Sequence, residues 1–261
     1  MDSYEREIRS VNVVRYLTPL REGGSLPAIV EADDGFLQVL KFRGAGQGTK
    51  ALVAELIGGE IARAAGLKVP EIVFAFLDES FGRTEPDEEI QDLLKASIGL
   101  NLGIHYISGA ITYDPAVMKL DSKLASKILW LDAFLTNVDR TARNTNMLTL
   151  KRDLWLIDHG ACLYFHHSWD RWEEQSLNPF HKIKDHVLRY QAHHIAQANE
   201  EMKSMITEDV INKVISLIPD ELLTYDAPEK MRDMYRKFLI NRLHHSAIFV
   251  KEAIHAASAQ F

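Results

Sequence analysis

A single cysteine, Cys162, stands among 261 residues, so no internal disulfide can form, and a small core residue is expected there. Zinc chemistry lacks its usual signatures. No cysteine pair exists, and none of His166, His167, His181, His186, His193, His194, His244 and His245 shows the i, i+4 spacing of an H-E-x-x-H helix. They are expected to be ordinary surface or partly buried histidines. No apolar run reaches the length of a membrane span, and the opening MDSYEREIRS lacks the apolar core of a signal peptide, so a cytoplasmic protein is expected. Positive charge is in deficit: the formal net charge of −7 argues against extended nucleic-acid or anionic-membrane binding, but not against one local basic pocket. A dinucleotide fingerprint is incomplete. In FRGAGQGT the place of the third glycine is taken by Thr49, and the strands before it form a hairpin rather than opening a βαβ unit. A flexible loop near the mouth of a cleft is the expectation for Gly44 to Gly48. Internal repeats and low-complexity segments are also missing.

What is present is an ordinary globular balance, 46% hydrophobic and 26% charged, in a chain long enough for one large domain or two lobes sharing a cleft. The first third reads as strands around one helix. SVNVVRYL is rich in β-branched residues, and Asp33-Asp34-Gly35 divides PAIVEADDGFLQVLKF into two strand-like runs, a hairpin signal. KALVAELIGGEIARAAGL has apolar residues at helical spacing, with Gly66 suited to its C-terminus. KVPEIVFAFLD reads as a strand, ESFGRTEPDEEIQDLL as an acidic loop with a short surface helix, and IGLNLGIHYISGAITY as strands with a crossover. From Lys119 the pattern becomes helical, broken by a small β insert in which NMLTL and LWLID flank Lys151-Arg152-Asp153. ITEDVINKVISLI and EKMRDMYRKFLINRLHHSAIFVKEAI are the clearest later helices. The expected class is α+β: a β-rich part over residues 1–108 with one prominent helix, and a mostly helical part over 109–261.

Between these parts lies FLTNVDRTARNTNML, which carries an aspartate, two arginines and three asparagines directly after a strongly apolar run. Asp139 and Asn144 are in an Asp-x4-Asn spacing, a hairpin follows, and Asp158 stands at its exit. Phosphoryl transfer needs this set: oxygen ligands for the cations that spread γ-phosphate charge, and a group positioned beside the attacking hydroxyl. The competing reading is that Asn137 and Asp139 merely terminate a helix and Asp158 opens a turn. Arg140 and Arg143 could neutralise Asp139, contact a phosphorylated group, or make plain salt bridges.

Lys41 closes the strand GFLQVLKF, where alternation aims it opposite Leu40 and Phe42. A half-buried lysine needs a partner for its ammonium. Phosphates and a helix carboxylate would supply one; snorkelling to solvent is the alternative. Glu55, near the start of the next helix, is better placed for this than Glu60. Upstream, Gly23-Gly24-Ser25 sits in a turn between strands, where backbone N–H groups can cradle phosphates.

LTNVDRTARNTNML and LWLIDHG resemble the catalytic segment of the HipA-like kinase family, whose motif runs Asn-x-Asp-Arg-His-x-x-Asn, then a hairpin, then a metal-binding Asp. LVAELIGGEIARAAGLKVPEIV is similar to the helix and strand that follow that family's phosphate-binding lysine. The resemblance covers about residues 17–164. It implies a bilobal, protein-kinase-like fold related to the phosphoinositide-kinase branch, using ATP and Mg²⁺. On the matching positions it implies Asp139 as catalytic base, Asn144 and Asp158 as metal ligands, Lys41 on the α- and β-phosphates with Glu55 as its partner, and Gly23, Gly24 and Ser25 as the phosphate loop. Ser25 is the one candidate for the loop autophosphorylation known in the family. Thr141 replaces the motif's histidine, which bears on how the loop is braced, and His159 stands where eukaryotic kinases carry Phe. No counterpart of the extra N-terminal subdomain of HipA toxins is expected, so the likeness is to the short stand-alone kinases, and an antitoxin partner stays open. The implied activity is transfer of the γ-phosphate of ATP to a hydroxyl, with serine or threonine of a protein the expected acceptor. A small-molecule or lipid-headgroup kinase, or a nucleotide-binding pseudokinase acting through a partner, is the alternative.

Overall fold

The computed structural model describes residues 4–20, 26–81 and 86–258. Its N-terminal part is a closed barrel of five strands in the order β1-β2-β3-β5-β4. The strands are β1 (Ser10–Pro19), β2 (Ala28–Ala32), β3 (Leu37–Lys41), β4 (Ile72–Leu77) and β5 (Gly99–His105). β1 closes the barrel by pairing antiparallel with β2 and parallel with β4. Strand alternation fixes what faces the barrel interior. Leu40 and Phe42 are buried with Val11, Val13, Val30 and Val73, which sends Val39 and Lys41 to the opposite face. The β2–β3 hairpin turns at Asp33-Asp34-Gly35, as expected, and Gly35 has φ 80°, the left-handed conformation that favours glycine.

Helix α1 (Thr49–Ala64) connects β3 to β4. Gly66, with φ 74°, follows its last turn in the C-terminal role its sequence suggests. Helix α2 (Glu88–Ala96) lies on the surface, capped by the Asp87 carboxylate and burying Leu94 alone.

The C-terminal part is helical around α3 (Ser122–Leu135), whose central residues Ile128 to Leu135 are all buried. A second sheet, β6 (Ile111–Thr112), β7 (Met147–Leu150) and β8 (Asp153–Leu156), follows the order β6-β7-β8, so the expected β insert is present with one additional short strand. Then come α4 (Trp172–Ser176), α5 (Ile195–Met205), α6 (Glu208–Ser216), α7 (Pro228–His244) and α8 (Ala247–Ser258). The run from Glu229 to Ile254, continuous by pattern, breaks at His245-Ser246 into α7 and α8. The break lets Phe249 pack edge-on against Trp130 of α3, at 5.4 Å between ring centroids, while Arg242 of α7 reaches α3's end. Arg242 is fully buried and donates to the carbonyls of Ala133 and Phe134, at 2.6 and 2.8 Å, and of Ser176 and Asn178, both at 3.0 Å. It satisfies carbonyls that α3's last turn would otherwise leave orphaned, and so fixes where the following loop begins. The barrel and the helical part together give the α+β class expected. Among the described residues no helix is long and apolar enough to cross a membrane.

Candidate active site

A cleft of 1280 Å³ is lined from the barrel side by Val39, Lys41 and Ile104, and from α1 by Ala51 and Glu55. Its other wall carries Asp139, Arg143, Asn144, Asn146, Met147, Leu148 and Asp158. The lining combines apolar side chains with charged and amide ones, a combination that suits a ligand with an aromatic and a charged half. The loop 45–48, expected near the mouth, does line the cleft.

Lys41 extends from its strand into this cleft. Its ammonium is 2.9 Å from Asp158 Oδ1 and 3.9 Å from Glu55 Oε2. Burial pushes the Lys41 pKa down, but Glu55 and Asp158 more than offset this and hold it above its ordinary value, so the side chain stays charged. It does not snorkel. Glu55 is 2% exposed and is, rather than Glu60, the α1 carboxylate that lies near Lys41. Burial raises its pKa, while Lys41 and then His159 lower it, with a net value of about 2. Glu60 lies elsewhere on α1 and is bound by Tyr4 at 2.6 Å and Arg6 at 3.0 Å, pinning the N-terminal segment.

α3 ends in Thr136, not in Asn137 or Asp139 as the helix-stop reading has it: Thr136 is the cap residue, with φ 55°. A β-branched residue in the left-handed region is unusual. Among the described residues seven non-glycine positions have positive φ, and Thr136, Asn146, Asp158 and Leu163 all fall in this segment. Such conformations persist where surrounding contacts over-determine them, commonly at functional sites.

Those contacts centre on Asp132, fully buried in α3. It accepts from Asn137 Nδ2 at 2.9 Å, from Arg140 Nε at 2.6 Å, and pairs with His186 Nε2 at 2.9 Å. Burial raises its pKa, but Arg140 and His186 together hold it well below the ordinary carboxylate range. Asn137 Oδ1 in turn accepts the Asp139 backbone N–H at 3.1 Å. Arg140 also donates to the carbonyls of Asn146 and Ile157, joining the loop to both ends of the hairpin. The ideas that Arg140 neutralises Asp139 or meets a phosphorylated group are therefore corrected: it is 1% exposed, with Nε on Asp132 and Nη1 on backbone carbonyls. Arg143 is exposed and lines the cleft. Thr141 is bridged to His186, and Val187 N–H donates to the Arg140 carbonyl at 3.1 Å, so a histidine from a distant segment joins the brace beside Thr141.

Asp139 presents its carboxylate to two amides: Oδ2 accepts from Asn144 Nδ2 at 2.7 Å and from Asn146 Nδ2 at 3.1 Å. Asp158 opens onto the cleft, its side chain 41% exposed. Lys41, Glu55, Asp139, Asn144 and Asp158 thus share one cavity. Gly23, Gly24 and Ser25 lie outside the described residues. Asn146 and Asp132 were not singled out from the sequence, and His186, expected to be an ordinary surface or partly buried histidine, is instead buried at 5% exposure against Asp132. A charged residue inside the apolar run ILWLDAFL is a usable signal for Asp132, whereas His186, 54 positions away, carries none.

Among the described residues no group of three or more His, Cys, Asp and Glu side chains is arranged around a metal. The oxygen donors here, one accessible carboxylate and neighbouring amides, fit a hard cation such as Mg²⁺, which commonly takes one or two protein ligands and completes its shell with water and phosphate. Cys162 is buried in the core as expected, and burial pushes its thiol well up.

A family model described as HipA-like kinase matches residues 13–247. Among solved structures, a Helicobacter pylori proinflammatory kinase, CtkA, superposes with a TM-score of 0.57 at 12% identity, covering 97% of this chain and 100% of that one. At this identity the likeness is one of fold. No curated protein sequence gives a significant match.

Proposed function

The chain belongs to the HipA-like kinase family, and we propose that it transfers the γ-phosphate of ATP, with Mg²⁺, to a hydroxyl, with serine or threonine of a protein as acceptor. In this reading residues 1–108 and 109–261 act as two lobes of a cytoplasmic enzyme closing on the nucleotide. The observation that carries it is the convergence of Lys41, Glu55, Asp139, Asn144 and Asp158 on one cleft that also has apolar lining residues.

The adenine would lie between Val39 and Ile104 on one side and Met147 and Leu148 on the other, since a planar base gains most from two apolar faces. Lys41, held charged, would exchange its contact with Asp158 for the α- and β-phosphates, leaving Glu55 as its protein partner. Asp158 and Asn144 would hold Mg²⁺, which when bound spreads the charge of the phosphates. Asp139 would accept or orient the hydroxyl proton of the acceptor. Two amide donors, Asn144 and Asn146, fix its carboxylate, and a positioned base contributes about 10²–10⁴ in rate.

The experiment is phosphotransfer from radiolabelled ATP to lysate protein by wild type and Asp139→Ala, alongside thermal stabilisation by ATP·Mg²⁺. Loss of transfer with retained stabilisation is the expected result. Transfer undiminished in Asp139→Ala removes the assignment of the base. Stabilisation without transfer by wild type favours a pseudokinase, and label confined to small molecules or lipid favours the corresponding kinases.

A further inference from the structure

His159 is fully buried, and neither of its ring nitrogens has a hydrogen-bond partner. Burying two unpaired polar atoms costs free energy that an apolar ring of similar size would avoid. The nearby charge is Glu55: His159 Nδ1 lies 3.6 Å from its Oε1. Glu55 Oε2 likewise lacks a hydrogen bond and faces Lys41 at 3.9 Å. The Glu55 carboxylate is therefore flanked by the lysine on one side and the histidine on the other.

The backbone around this contact is built for closeness. A Cβ at Gly58 would stand 2.6 Å from His159 Cβ and 3.1 Å from its Cγ, so only glycine lets α1 approach the ring. At Gly160 a Cβ would make only ordinary contacts, with the Ala51 carbonyl at 3.6 Å and Asp158 Oδ1 and Glu55 Oε2 both at 3.7 Å, so the tight fit is at Gly58 alone while Gly160 lies alongside α1. Ala51, Glu55 and Gly58 are at i, i+4 and i+7, one face of α1, and the segment 158–160 lies along that face. His159 also directly follows Asp158, whose φ of 55° leaves little freedom to reorient one without the other.

We propose that His159 is a positioning residue: seated in the Gly58 notch, it ties α1 to Asp158 and holds the Glu55 carboxylate in place for Lys41. The role rests on the kinase reading above. It matters most when Asp158 turns from Lys41 to a metal, because Glu55 is then the protein anion left to hold the ammonium.

The test is steady-state kinetics in ATP, with ATP·Mg²⁺ binding and melting temperature, for wild type, His159→Phe, His159→Asn, Gly58→Ala and Gly58→Ala/His159→Gly. Phe fills the space but removes the polar contact, so KM for ATP should rise by about tenfold to a hundredfold, the usual scale for supporting-shell losses, with a smaller change in kcat. Asn keeps an amide nitrogen near the place of Nδ1 and should stay closer to wild type. Gly58→Ala should raise KM similarly, and adding His159→Gly, which relieves the clash but removes the ring, should recover melting temperature while KM stays raised. A purely structural role would lower the melting temperature and active fraction while KM held. That pattern, or His159→Phe and Gly58→Ala both matching wild type in KM, overturns the proposal while leaving the kinase reading intact. A wild type that binds no ATP·Mg²⁺ overturns both.

Discussion

Lys41 and Asp158 form an ion pair of 2.9 Å across the cleft. The two residues come from the barrel and from the exit of the hairpin, and the pair pre-sets an exchange. Nucleotide phosphates compete for the lysine, and a cation competes for the carboxylate. Neither charge needs to be left alone if both arrive together, which predicts that ATP and Mg²⁺ bind with positive coupling.

Asp158→Asn tests this with little disturbance of the backbone, because asparagine tolerates the left-handed conformation as well as aspartate does. The full charge is lost and the shape kept. Thermal stabilisation by ATP should become insensitive to Mg²⁺, and activity should fall with it. A Mg²⁺ titration superimposable on that of wild type would leave Asp158 as a turn former only.

Asn144→Asp should be milder in metal binding, since a carboxylate can replace an amide oxygen as ligand. It carries a second cost. Asn144 Nδ2 donates to Asp139 Oδ2 at 2.7 Å, and the substitution replaces that donor by a like charge. Two carboxylates at such a distance raise each other's pKa. Metal-dependent ATP binding should therefore survive while turnover falls, a split read by comparing Mg²⁺-dependent melting shifts with phosphotransfer rates.

The Asp132 network separates support from chemistry. Asp132→Asn leaves Arg140 buried without its counter-charge, and removing one partner of a buried pair costs about 3–5 kcal/mol. Asn137→Ala removes only the link from Asp132 to the Asp139 N–H. It should lower stability by less, on the order of 1 kcal/mol for a lost hydrogen bond, but reduce turnover more than ATP affinity. Denaturant unfolding paired with kinetics decides between them.

How much of this could be read in the chain depends on the range of the contact. The strand alternation that aims Lys41 away from Leu40 and Phe42, the Asp-Gly hairpin and the helical apolar spacing of α1 are local, and the structure has each. Asp139, Asn144 and Asp158 were legible because a turn, a hairpin and its exit bring them together within one short stretch. The brace was not. His186 meets Asp132 only through tertiary folding, and the fit of His159 into Gly58 depends on how α1 crosses the segment after β8, which no periodicity encodes. The division of α7 from α8 was also hidden, because helical spacing continues across His245-Ser246 and only packing on α3 makes the break worthwhile.

A last prediction concerns acid stability. His166 is 1% exposed, with Nδ1 3.3 Å from the Tyr235 hydroxyl. Burial, followed by neighbouring His167 and Lys50, pushes its pKa down from 6.5 to about 3. The unfolded chain binds a proton at this histidine as pH drops through its ordinary value, while the folded chain refuses one until far lower. Its stabilising effect is thus complete at neutral pH and is lost progressively as pH falls from about 6.5, approaching about 1.4 kcal/mol per pH unit for one proton. Glu55 and Asp132, whose folded pKa values are depressed, contribute in a lower window: their stabilisation is present above the ordinary carboxylate values near 4 and fades only as pH falls toward their folded values. The interval from about pH 6 to 4.5 therefore separates the histidines from these carboxylates; His167, whose pKa burial and then Lys50 also lower, titrates there in wild type and variant alike, so the difference between the two proteins reports His166. His166→Gln retains an acceptor for Tyr235 but cannot titrate, so it should lose less stability than wild type across that interval, whatever its absolute stability at pH 7.5. Urea unfolding of both proteins at pH 7.5, 6.0, 5.3 and 4.5 provides the comparison. Parallel losses would mean that the buried histidine takes its proton in the folded state as readily as in the unfolded one.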